Sequence, residues 1–265
     1  MAETQLAAKF NRPGHNIIDH FTYVICSDGD LMEGISYEAA SLAGHLGLGK
    51  LIWLYDDNKI TIDGNTDLVF SENVQSRFEA LGWHVLSVAD ANDISAVDES
   101  LAMARAETNQ PSLIIVESRI GYGSPNKQDT PDAHGAPLGE EEVRLTKEAY
   151  GWPIEPNFWV PDEVRDHMNG QVERGEALQA AWRGDFTSYQ TDHPDLAAEL
   201  ERRIQGELPN DWDTDLPEFT SDDNPIATRA ASGHVLQALA SNIPELLGGS
   251  ADLSGSKNTL IEAPT

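Results

Sequence analysis

The chain has 265 residues, 40% of them hydrophobic, which is enough for one full domain and part of a second. Its 45 acidic and 17 basic residues leave a formal net charge of −28, a surface that repels nucleic-acid phosphates and anionic membranes, so neither is expected as a partner. No apolar run approaches transmembrane length, and the opening MAETQLAAKFNRPGH lacks the basic start and apolar middle of a signal peptide. The lone cysteine, Cys26, excludes an internal disulfide framework and suits a reducing, cytoplasmic compartment. Lysine occurs only six times, and acid excess with few lysines is the pattern of salt-adapted proteins, whose self-repulsion is screened at high ionic strength. On that reading melting temperature rises in molar salt; an ordinary acidic protein would show no such rise.

In chain order, ETQLAAKF reads as the end of a helix, stopped where NRPGH breaks the period. A helix so short is marginal alone, and the chain reads as starting inside an element. FTYVIC (21–26) is expected as a buried strand. LMEGISYEAASLAGHLG (31–47) is expected as one helix, with Ile35, Ala39, Leu42, Ala43 and Leu46 on one side. Strand LIWLYD (51–56), helix VQSRFEALG (74–82), strand WHVLSV (83–88), helix SAVDESLAMARAE (95–107) and strand SLIIVES (112–118) follow. In the third helix Val97, Leu101 and Ala104 are in phase. Strand and helix alternate through short connections, which predicts an α/β fold: a parallel sheet flanked by helices, with its ligand beyond the carboxyl ends of the strands.

After Ile120 the composition changes. GYGSPNKQDTPDAHGAPLG is a glycine- and proline-rich loop of a length at which loops are usually functional. Residues 140–222 are polar, acidic and loosely helical, and read as a linker wrapping the surface of domain 1–139. Helix returns at IATRAASGHVLQALASNI (226–243), and ELLGGSADLSGS after it is expected to supply a strand. Residues 223–265 are thus an incomplete second α/β unit.

Two of the strands end in carboxylates, SDGD after the first and YDDN after the second. Magnesium takes near-octahedral oxygen ligands and combines one or two carboxylates with substrate phosphates. A carboxylate at one strand end, an amide oxygen at its neighbour and a backbone carbonyl two residues on satisfy that demand. Asp28, Asn58 and the Ile60 carbonyl meet the description. Gly29 would let the backbone approach a diphosphate, and the helix after it would aim its amide dipole there. A solitary Asp-Gly is more often an ordinary turn. Asp-Gly after one strand, a helix, and Asp-Asn after the next is the thiamin diphosphate fingerprint.

At this point the chain resembles transketolase. FNRPGH, DGDLMEGISYEAASLAGHLGLGKLIWLYDDNKITIDG, RFEALGWHV, IGYGSPNK, HGAPLG and ASGHVLQALASNIPELLGGSADLSGS are all similar to segments of that family, in its order and spacing. The resemblance implies transfer of a two-carbon ketol unit between a ketose and an aldose phosphate, with thiamin diphosphate and Mg2+ or Ca2+ as cofactors. It makes Asp28, Asn58 and the Ile60 carbonyl the metal ligands and puts Gly29 beside the diphosphate. Glu33 matches the glutamate of the family's EGIS segment, near the contact that links paired active sites, and Glu38 has a similar but weaker counterpart. His134 matches the loop histidine that approaches cofactor and substrate, where an imidazole can handle protons near neutral pH. Arg229 and Ser256 match residues that hold the sugar phosphate, and Asp252 an acid near the thiazolium.

Ser27 departs from the family, which has glycine there; a serine forced to positive φ would be strained. The resemblance also implies that a further strand, diphosphate-binding histidines and most of the pyrimidine-binding domain lie outside these residues, so the chain alone is expected to be inactive. Three readings stand: a fragment, one subunit of a split enzyme whose complementary transketolase chain brings the rest, and a non-catalytic module binding magnesium, cofactor or protein; the family pairs as dimers, so a homodimer is also expected. A ferredoxin- or lyase-type thiamin enzyme is opposed by GSPNK and HGAPLG.

Overall fold

The computed structural model describes residues 1–220 and 224–262; the expected boundary between 222 and 223 lies outside them. Packing divides the chain into two units, Met1–Gln179 and Ala180–Thr265. In the first, α1 (Ala2–Phe10) precedes a sheet of four strands, β1 (Thr22–Ser27), β2 (Leu51–Asp57), β3 (His84–Val88) and β4 (Ser112–Glu117). The sheet is wholly parallel, in the order β1-β2-β4-β3. Helices α2 (Asp28–Met32) and α3 (Gly34–His45) connect β1 to β2, α4 (Val74–Ala80) leads to β3, and α5 (Ile94–Ala106) leads to β4.

Side chains alternate across a strand, so each apolar run feeds two cores. Trp53, Tyr55 and Leu113 point to the face covered by α3 and α4, where they meet Ala40, Ala43, Val74 and Phe78. Ile52, Ile114 and Val88 point to the other face, against Ala104, with Val97 and Leu101 packed around it. On the first face Trp53, Phe78 and Trp83 form an edge-to-face cluster with centroids 4.9–5.8 Å apart, a geometry worth about 0.5–1.5 kcal/mol per pair beyond the area buried.

Three expectations fail here, each for a packing reason. β1 is not a buried strand: it is the sheet's edge, and α5 does not reach it, so Ile25 is 82% exposed and Tyr23 lies next to it on the same uncovered face. The single helix 31–47 is two helices, because Glu33 adopts ψ 133° and resets the phase. The buried face is therefore Ala40 and Ala43, while Ile35, Leu42 and Leu46 are exposed. Small residues are what this contact needs. Trp83 Nε1 donates to the Ala40 carbonyl at 2.8 Å, and a Cβ on Gly44 would sit 1.9 Å from the Leu81 carbonyl oxygen.

The first unit continues through the loop after β4 into α6 (Glu140–Ala149) and the first part of α7 (Asp162–Asp192). The second unit holds the end of α7, α8 (Pro194–Ile204), α9 (Thr228–Asn242) and α10 (Ser254–Lys257). Phe186, Tyr189, Ala197 and Leu200 form its buried side chains, and Arg202 holds Glu245 through two hydrogen bonds of 2.6 and 3.0 Å. The strand expected in ELLGGSADLSGS is absent from the described residues; the segment is irregular and ends in α10. Strands need a ladder partner, and the described part of this unit has no other strand to supply one.

Candidate cofactor and metal site

Parallel pairing sets the carboxyl ends of β1 and β2 side by side, with Ser27 opposite Asp56. Asp28, the first residue past β1, is 1% exposed. Its Oδ2 accepts from the Lys59 amide at 3.2 Å, and its Oδ1 accepts from the Tyr55 hydroxyl at 2.5 Å. Asn58, beside Lys59, turns its side-chain oxygen back to the Ile60 amide at 2.9 Å. Asp28 therefore bonds to the very turn that carries Asn58 and Ile60.

Lys59 makes the turn possible by adopting φ +64°. Beyond it, Thr66 N–H donates to the Lys59 carbonyl at 3.0 Å and Thr61 N–H to the Gly64 carbonyl at 2.8 Å, so the Ile60 carbonyl stands between two bonds that do not use it. Beneath lies a layer that the sequence reading missed. Tyr55 also reaches Asp57 at 3.0 Å, and Lys59 Nζ clamps both oxygens of Asp57 at 2.6 and 2.8 Å. The available signal was the strand period, which puts Tyr55 and Asp57 on one face, two residues apart.

Burial pushes the Asp28 carboxyl above its ordinary range; the Tyr55 hydroxyl opposes this and the nearby Asp57 charge adds to it. The same burial, with Asp28 beside it, pushes the Tyr55 phenol up. Such an under-compensated anion among hard oxygen donors fits a divalent cation, which would supply the missing charge. The backbone at Gly29 is also open, since a Cβ built there would meet no atom within 4 Å. The helix dipole contributes less than expected, because α2 has only five residues. Nor is Ser27 strained: it is extended, at φ −128° and ψ −176°, and its amide donates to Asp30 Oδ2 at 2.8 Å.

Glu33 lies exposed at the break between α2 and α3, and Glu38 is exposed on α3. His134 caps the short 3-10 turn Pro131–Ala133, and its Nδ1 is buried with no hydrogen-bond partner among the described residues. The turn before it is braced from α6: Glu142 accepts from Ser124 Oγ at 2.5 Å, from the Asn126 amide at 2.8 Å and from Asn126 Nδ2 at 2.8 Å. Sequence gave no means of singling out Glu142 from Glu140 and Glu141. Arg229, Asp252 and Ser256 belong to the second unit. There α10 lies against α9, with Asn258 Nδ2 3.5 Å from the Arg229 carbonyl, and Asp252 is exposed at φ +57°. Elsewhere, a cleft of about 650 Å³ opens at the ends of β3 and β4, lined by Asp90, Glu117, Arg119, Tyr122, Gln128 and Tyr150 among others. No described helix is long and apolar enough to cross a membrane.

The chain is similar to known proteins over nearly all of its length. Residues 1–209 match the family described as transketolase, thiamine diphosphate binding domain. Transketolases of Geobacillus stearothermophilus and Bacillus subtilis are 51% and 52% identical over 263 residues, 99% of this chain and 39% of theirs. The chain thus spans about two fifths of the length of these relatives. Among solved structures, Pichia stipitis transketolase in complex with sedoheptulose-7-phosphate superposes with a TM-score of 0.89 at 44% identity, covering 98% of this chain and 39% of that one. Leishmania mexicana transketolase gives 0.88 at 44% identity, covering 98% and 38%. The chain belongs to the transketolase family and carries its thiamine diphosphate-binding domain.

Proposed function

We propose that this chain supplies the diphosphate- and metal-holding part of a transketolase, which transfers a two-carbon ketol unit from a ketose phosphate to an aldose phosphate in the cytoplasm. Asp28, Asn58 and the Ile60 carbonyl hold Mg2+ or Ca2+, and Gly29 leaves room for the diphosphate. Bound thiamin diphosphate supplies the carbon nucleophile of the reaction. His134 handles protons on cofactor and sugar oxygens, and its buried Nδ1 has no hydrogen-bond partner among the described residues. Arg229 and Ser256 grip the sugar phosphate, a guanidinium fork and a hydroxyl being suited to it, and Asp252 lies near the thiazolium. Glu33 acts at the contact between paired sites.

The chain covers 39% of its relatives' length, and the remaining catalytic groups come from polypeptide outside these residues, as a longer chain or a complementary chain. The observation that carries the reading is the buried Asp28 carboxylate tied to the Asn58–Ile60 turn. Two measurements test it. Calorimetry with thiamin diphosphate and Mg2+ should show weak, metal-dependent binding to the chain alone. Ketol transfer should then arise only on mixing with separately produced N-terminal and pyrimidine segments. Activity under no condition, with stable folding, would favour the non-catalytic module.

A further inference from the structure

Tyr55 carries an inference about how the Asp28 carboxylate is aimed, which rests on the metal reading above. Its ring fills the core under α3 and α4 at 1% exposure, where phenylalanine would serve as well. The hydroxyl needs another reason, since a buried polar group costs stability unless it is bonded. It has one proton and two carboxylates in reach, Asp28 Oδ1 at 2.5 Å and Asp57 Oδ1 at 3.0 Å. Asp57 already has a counter-charge in Lys59 Nζ. The shorter contact goes to Asp28, which has no cation bonded to it among the described residues.

We propose that Tyr55 is a positioning residue for the metal: its hydroxyl pins Asp28 Oδ1 to the rigid strand β2 and thereby turns Oδ2 toward the Asn58–Ile60 turn. Two features support that direction. Oδ2 is the oxygen that meets the Lys59 amide, so it is on the side of the turn, and its 3.2 Å bond is the longer and more easily given up. Rotating the carboxylate would break both bonds at once. Lys59 serves the same geometry from the other side, its amide holding Oδ2 while its ammonium holds Asp57, so that turn, carboxylate and strand form one closed network. Outer partners of this kind typically change metal affinity by about 10- to 100-fold when removed.

The test uses the full chain with saturating thiamin diphosphate, Mn2+ as the probe, and free Mn2+ read by electron paramagnetic resonance. Tyr55→Phe keeps the ring and removes only the hydroxyl. It should bind Mn2+ about 10- to 100-fold more weakly, with exposed Tyr37→Phe unchanged. The Lys59 amide should also exchange its hydrogen faster in Tyr55→Phe without any metal. In the wild-type chain, labelled at tyrosine Cζ, the Tyr55 resonance should move when Mg2+ is added with cofactor; that readout needs no variant to fold. Equal Mn2+ affinity in both chains overturns the positioning role and leaves the functional reading standing. No Mn2+ uptake by either chain overturns the functional reading, and unchanged Lys59 exchange then overturns the brace as well.

Discussion

Asp28 and Glu142 are both carboxylates buried in the same unit, at 1% and 8% exposure, and their surroundings drive them in opposite directions. Glu142 receives a hydroxyl, a backbone amide and a side-chain amide, with Lys127 nearby, and these hold its carboxyl below the ordinary range, the Ser124 hydroxyl most of all. Asp28 receives one hydroxyl and one amide beside a second carboxylate, and burial prevails, raising it. The difference separates structure from function. A carboxylate that accepts three bonds from one turn is a brace for its loop, whereas one that accepts two and is raised by burial suits the cation proposed above. Void size gives no such guidance: the cleft of about 650 Å³ at β3 and β4 is lined by Asp90, Glu117 and Arg119, all of them exposed.

The sharpest way to break this comparison is at Asp28. Asp28→Ala removes the proposed ligand itself, so Mn2+ uptake with thiamin diphosphate should fall by more than the about 10- to 100-fold typical of an outer partner. The cost should not extend to folding. Asp28→Asn deletes a desolvated charge and keeps the shape, so the metal-free chain should melt at a higher temperature than wild type, the usual exchange of stability against function. A lower melting point for Asp28→Asn would mean that the carboxylate is compensated within the chain and does not call for a metal.

Glu142 should behave in the reverse manner. Glu142→Ala orphans the Ser124 hydroxyl and the Asn126 donors, so hydrogen exchange should quicken at Asn126 and Lys127 and the melting temperature should drop. Metal affinity, read at the β1–β2 ends, should change little. Acid distinguishes the two sites again. The folded Glu142 titrates below its unfolded value of about 4.3, so its contribution is present above that pH and is lost as pH falls through the folded value. Asp28 is raised when folded, so its penalty is present above the raised value and fades as pH falls toward the unfolded value of about 3.9. Below about pH 4, the loop should therefore open before the strand ends do. Exchange at Asn126 that is flat through this range would remove the brace.

How far all this could be read in advance depended on which neighbour decided each residue. The four strands were legible because strands of a parallel sheet are covered on both faces and read as continuous apolar runs. The same rule misled at β1, where TYVIC looks as buried as LIIV, yet nothing in the chain's own letters says that α5 stops short of it. Asp28, Asn58 and Ile60 could be proposed from strand ends and from the family pattern, and the fold brings them to one turn. Tyr55, Asp57 and Glu142 were not, because their roles come from contacts across the sheet or across a loop. The split at Glu33 was likewise hidden, because it turns on one extended residue, at ψ 133°, that no helical period marks.

Arg119 offers the smallest effect and the cleanest control for the loop. It pairs with Asp129 at 3.5 Å, with the side chains 63% and 45% exposed, and it lies in the same loop that Glu142 braces. A pair so wet and so long gains little over water and is screened by salt, so Arg119→Ala should change stability by no more than about 0.5 kcal/mol. Exchange at Asn126 should stay at its wild-type rate. What holds the neighbouring Ser124–Asn126 turn in place is the set of short bonds to Glu142, and the surface ion pair should prove dispensable to it. If Arg119→Ala loosened Asn126 as much as Glu142→Ala does, the loop would be held by its outer charges, and the contrast between a satisfied and an under-compensated carboxylate would lose one of its two members.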